Sequence, residues 1–95
     1  DEKHLRSGLK VNTNLSSALL AMGELGVRTN KYLIARAYMQ RYHAQNKPTA
    51  HSLWLQIQAE LALGDKPNFI KLSKQLLDAF PESPEAEKVM ELSYK

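Results

Sequence analysis

The chain has 95 residues, with 13 Lys and Arg against 10 Asp and Glu, no Cys and a formal net charge of +3. That length supports one small domain with a modest core, and the lack of cysteine excludes disulfides and thiolate chemistry. No run approaches the ~18 apolar residues that a membrane-spanning helix needs, and no block of roughly five or six like charges marks a nucleic-acid tail.

In chain order, residues 1–13 (DEKHLRSGLKVNT) resemble the last turns of a helix belonging to an earlier unit. Leu5, Leu9 and Val11 are apolar at near-helical spacing, and Asn12-Thr13-Asn14 is expected to break the helix and cap the next one. A solenoid seldom starts on half a unit, because its terminal repeats need a polar outer face. The expectation is therefore that further repeats lie upstream. Residues 14–48 offer an apolar stripe through Leu19, Met22, Gly23 and Gly26, then a polar break at Arg28-Thr29-Asn30, then a second stripe. Residues 49–83 do the same. Trp54, Ile57 and Leu61 recur at i, i+3 and i+7, and Gly64 suits the left-handed end of a helix. Asp65 suits the start of the next helix, whose stripe is Phe69, Leu72, Leu76 and Ala79, with Pro81 as the stop. In residues 84–95, Pro84 opens a last helix with Glu85 and Glu87 in its first turns. Ala86, Val89 and Met90 give that helix a single apolar side, as a capping helix requires.

The unit is repeated. Leu19, Met22, Gly23 and Gly26 stand where Trp54, Ile57, Gln58 and Leu61 stand later, an offset of 35 (54 − 19). In the second helices Ala35 aligns with Phe69 and Tyr42 with Leu76, an offset of 34 (69 − 35). The change of offset predicts a slightly different turn in the second unit. A helix-turn-helix period near 34 residues is the tetratricopeptide signature. The first unit resembles it through Leu19-x2-Met22-Gly23 and Ala35-x3-Met39, the second through Trp54-x2-Ile57-Gln58-x2-Leu61 and Pro81. The expected fold is all-α: a tetratricopeptide-like antiparallel helix-pair solenoid with a C-terminal capping helix. Gly23 and Gly26 are expected to let two helices approach closely, and Trp54 to be a packing residue.

No catalytic constellation emerges. His4, His43 and His51 include no i, i+4 pair for a helical metal site, and the glycines form no phosphate loop. Tyr32, Tyr38 and Tyr42, with Lys31, Arg36 and Arg41 nearby, would suit base stacking, but aromatic residues at helical spacing mark a core face instead. The expectation is a non-catalytic protein with no metal, no cofactor and no nucleic-acid partner. In stacked helix pairs the first helices line a groove, and their non-core positions face it. That logic selects Leu20, Glu24 and Arg28 from the first unit, with Leu55, Ala59 and Ala62 from the second. Leu20 and Leu55 either anchor a partner's helix or extended peptide there, or pack against a neighbouring repeat or the capping helix.

The run Ser52-Leu53-Trp54-Leu55, then Leu63-Gly64-Asp65, then Phe80-Pro81-Glu82-Ser83 with Glu85-Ala86, resembles the C-terminal repeats of a known family. These are the type IV pilus biogenesis lipoproteins of the PilF/PilW family, the pilotins. Tyr32, Ala35-Arg36, Tyr38 and Arg41-Tyr42 resemble that family's preceding repeat, so the likeness spans about Leu15 to Glu87. Gln58 departs from the pattern, standing where small residues are usual. The resemblance implies a lipid-anchored protein on the periplasmic face of the outer membrane, tied to the membrane only through an anchor outside this stretch. It implies a secretin subunit as partner, helped to reach or assemble in that membrane. The alternative is a generic cytoplasmic tetratricopeptide adaptor or co-chaperone that grips a partner's C-terminal carboxylate. Arg28 as the one cation of the groove counts against such a clamp.

Overall fold

The structure, a computed structural model, describes residues 2–93, with side chains from Leu15 to Leu92. Five α-helices follow one another: α1 (Glu2–Arg28), α2 (Tyr32–Gln45), α3 (Ala50–Leu63), α4 (Lys66–Ala79) and α5 (Pro84–Ser93). Among the described residues there is no strand, so the fold is all-α. Helix α3 is the hub: α1, α2, α4 and α5 all pack on it, and α1–α2 and α4–α5 also touch.

Local chemistry accounts for the boundaries. Thr49 caps α3 by accepting from Ser52 N, while Thr49 N donates back to Ser52 Oγ at 2.8 Å, a reciprocal capping box. Gly64 ends α3 at φ 80°, a conformation that L side chains avoid. Asp65 accepts from Asn68 N to start α4, with Pro67 in the first turn where a missing N–H costs nothing. Ser83 Oγ accepts from Ala86 N at 3.1 Å to start α5.

The break expected at Asn12-Thr13-Asn14 does not occur, because α1 continues from Glu2 to Arg28 as one helix. Asn and Thr are weak helix formers, not blocks, and no Pro or Gly lies between Leu9 and Met22. The comparable break between α2 and α3 holds Pro48, which cannot continue a helix, where the first unit has Asn14.

The two units repeat at one offset throughout. Buried Leu19, Gly23, Gly26, Ala35 and Met39 correspond, 34 residues on (53 − 19), to Leu53, Ile57, Glu60, Phe69 and Ser73, all buried except half-buried Phe69. Ser73 buries its hydroxyl unpartnered where Met39 puts a thioether. The turns share that offset. Asn30 (φ 64°) matches Gly64 as the left-handed residue, and the bond Lys31 N to Gly26 O (2.7 Å) matches Asp65 N to Glu60 O (2.9 Å). The different turn expected for the second unit is thus absent.

This register moves the expected stripe of α3 by one residue. Leu53, Ile57, Leu72, Leu76 and Val89 form the core, with Ala50, Trp54, Phe69, Leu77 and Phe80 packed at its edge. Leu61, placed on the stripe by its spacing from Trp54, is 45% exposed, and Trp54 is only half-buried. In the first unit the glycines do bring two helices together. A Cβ on Gly26 would stand 2.9 Å from Ala35 Cβ, and one on Gly23 would overlap Met39 Sδ.

Candidate functional site

The residues expected to line a groove fall into two groups. Leu20, Glu24 and Arg28 form a row along α1, half-buried, half-buried and exposed in turn. Arg28 Nη2 donates to Glu24 Oε2 at 3.4 Å across one helical turn. On α3 only Ala62 is exposed, whereas Leu55 (3% exposed) and Ala59 (0%) are interior residues. Their side of α3 also carries Ser52, Gln56 and Glu60, which bond to α2. Leu55 and Ala59 therefore seat α2 and cannot serve as groove anchors.

The 34-residue register shows which residues continue the row instead. Leu20 corresponds to Trp54 and then to Lys88 of α5; Glu24 corresponds to Gln58, and Arg28 to Ala62. The geometry links the three helices in that order. His51 Nε2 at the start of α3 lies 3.8 Å from Glu24 Oε1, and Lys88 Nζ stands 5.8 Å from the centre of the Trp54 ring. A cation over an indole face contributes on the order of 0.5–1 kcal/mol at an exposed site. The result is a face with one half-buried aromatic at its centre, flanked by Leu20, Ala62 and charges of both signs. Sequence spacing missed Trp54, Gln58, His51 and Lys88 as members. The signal was present in the mismatch between offsets of 35 and 34, because extending the smaller one to the first helices selects Trp54 in place of Leu55.

Behind this face, α2 and α3 are joined by a polar chain. Arg36 donates from Nε (3.0 Å) and Nη2 (2.7 Å) to Glu60 Oε1, and from Nη2 to Asp65 Oδ2 (3.2 Å). The bond to Glu60, together with the attraction of Glu60 and Asp65, holds the Arg36 pKa above its usual value despite partial desolvation, so it stays charged. Gln56 Nε2 donates to Glu60 Oε2 at 3.1 Å, which turns Gln56 Oε1 toward His43 Nδ1 at 2.9 Å. Neutral His43 must then carry its proton on Nδ1 and accept the Ser52 hydroxyl on Nε2, 2.9 Å away.

Burial holds the His43 pKa below the ordinary imidazole value, with the bond to Gln56 opposing the shift. The unfolded chain therefore binds this proton more readily than the native one. His43 contributes stability that is complete above the unfolded value near 6.5 and is lost as pH falls below it. The expected result is a melting temperature that drops between about pH 7.5 and 5.5, and drops less in His43→Gln. Because His4 and His51 remain in that variant, equal slopes for the two proteins would refute the assignment.

The tyrosines do not form an open platform. Tyr32 Oη donates to Asn30 Oδ1 at 2.8 Å, and the Tyr42 ring meets that of His43 edge-on at 5.6 Å between centres. Arg36, expected beside them as a free cation, is committed to Glu60 and Asp65. Among the described residues no group of three or more His, Asp or Glu could hold a metal ion, and no helix is long and apolar enough to cross a membrane. No family model matches the chain, and neither does any curated protein or solved structure.

Proposed function

We propose that the chain is a tetratricopeptide-like helix-pair solenoid acting as a non-catalytic protein-interaction module, with a type IV pilus secretin subunit as its partner. The observation that carries the module reading is the row Leu20, Trp54, Lys88, one residue from each of α1, α3 and α5 at a constant 34-residue step. A repeated helix pair presents equivalent positions side by side, and an exposed row of them makes an extended surface for a peptide or helix. A half-buried tryptophan is the kind of residue that dominates such a contact. The secretin as partner rests on the resemblance of Ser52–Ala86 and the preceding repeat to the pilotins, which places the protein on the periplasmic face of the outer membrane.

The test is a pull-down of the secretin subunit with Leu20→Glu and Ala62→Glu variants whose melting is unchanged. Leu55→Glu is unsuitable, because it would put a carboxylate in the interior. Both variants are expected to lose at least tenfold in affinity, about 1.4 kcal/mol, while Arg41→Glu on the exposed side of α2 changes little. Full retention of the secretin by both groove variants would show that the contact lies elsewhere.

A further inference from the structure

The same register exposes an empty place for a helix. Helix α2 is seated against α3 and the α3–α4 turn through Gln56, Glu60 and Asp65, with Ala59 on the same side. One unit earlier, 34 residues back, those positions are Met22, Gly26, Lys31 and Leu25. There the seat is open: Met22 is 40% exposed and Leu25 48%, against 6% for Gln56 and 0% for Ala59. With Ile34 (47% exposed) and Tyr38 they border a groove of about 220 Å³.

The helix that this register assigns to the seat is the N-terminal half of α1. Subtracting 34 from the α2 residues Arg36, Met39 and His43 gives Glu2, Leu5 and Leu9. The chemistry matches position by position. His43 meets Gln56 in the filled seat, and the counterparts Leu9 and Met22 are both apolar. Arg36 pairs with Asp65 in the filled seat, and the counterparts Glu2 and Lys31 are again opposite charges with the signs exchanged. Yet α1 is one continuous helix from Glu2 to Arg28, and a straight helix cannot fold back to cover Met22 and Leu25 on its own later turns.

We propose that residues 2–11 of one copy occupy this groove on a second copy, and that the exchange is reciprocal. Continuity of α1 through residues 12–15 turns an intramolecular seat into an intermolecular one, as happens when a hinge straightens in a domain swap. The two seats are related by a two-fold axis and form together, which doubles the apolar area each copy removes from water. The inference rests on the 34-residue repetition and not on the identity of any other partner.

Sedimentation of the whole chain is expected to give a mass twice 10.8 kDa at high micromolar concentration. Met22→Glu with Leu25→Glu should return it to the single-chain mass. Asn14→Pro, which copies Pro48 of the next unit, should break α1 and let the segment close over its own groove as a monomer. A second measurement is independent of how those variants fold. Cysteine occurs nowhere in the chain, so Leu9→Cys and Met22→Cys variants can be mixed and joined by a short bis-maleimide. A covalent species of two chains is expected. A wild-type monomer overturns the proposal. So does a dimer that survives the charged groove, or a Leu9→Cys, Met22→Cys double variant that cross-links only within one chain.

Discussion

Arg36→Ala is expected to destabilise the fold by about 3–5 kcal/mol, the range for leaving one member of a buried ion pair uncompensated. Glu60 is wholly buried, and Arg36 supplies both bonds to its Oε1 while Gln56 supplies the one to Oε2. Without the guanidinium, a carboxylate remains in the interior with a single neutral donor. The loss also loosens the junction between units, since Arg36 reaches from α2 to Asp65, the N-cap of α4. Removing both charges behaves differently: Arg36→Met with Glu60→Met is expected to recover most of the stability, because paired ions offset each other's desolvation only partly. Urea denaturation at neutral pH measures both. A loss under about 1 kcal/mol for Arg36→Ala would mean that Glu60 is hydrated and the two units are not joined this way.

Leu53→Ala is expected to cost about 2–5 kcal/mol, and Leu61→Ala no more than about 0.5–1 kcal/mol. Leu53 is 1% exposed and lies in the cluster with Ile57, Leu76 and Val89, so truncation leaves a cavity. Leu61 is 45% exposed and loses little packing. The comparison decides between the two offsets, because a stripe through Trp54, Ile57 and Leu61 would reverse the order of the two effects. Thermal or chemical melts of the two variants give the answer directly.

The helices themselves were legible from local chemistry. Gly64, Asp65, Pro81 and the Ser83-Pro84 pair each stop or start a helix for a reason that needs no neighbour. The repeat was legible too, from Ala35 with Phe69 and Tyr42 with Leu76. What failed was the choice of face in α3. Four elements pack on this helix, so nearly every side is apolar or buried, and periodicity cannot separate the seat of α2 from the outer row. Leu55 and Ala59 consequently looked like groove residues, and Trp54 like a core residue. The polar chain from Asp65 through Arg36, Glu60, Gln56 and His43 to Ser52 was also hidden. Its members come from two helices and a turn, and no spacing within one helix brings Arg36 to Glu60. The continuity of α1 was misjudged because Asn12-Thr13-Asn14 is a preference against helix, which the missing proline did not enforce.

The account's central claim is that the row through Leu20, Trp54 and Lys88 receives a protein segment, and the chain carries its own reporter for it. Trp54 is the only tryptophan and is half-buried beside Lys88, so its emission responds to anything that covers the face or displaces that ammonium. The direct measurement is a fluorescence titration of the whole chain with the purified secretin subunit, its own signal subtracted, read beside a binding assay on the same samples. The expected result is a saturable blue shift whose midpoint matches the binding curve and is displaced to higher concentration by Leu20→Glu. Saturating binding with the Trp54 spectrum unchanged would contradict the claim.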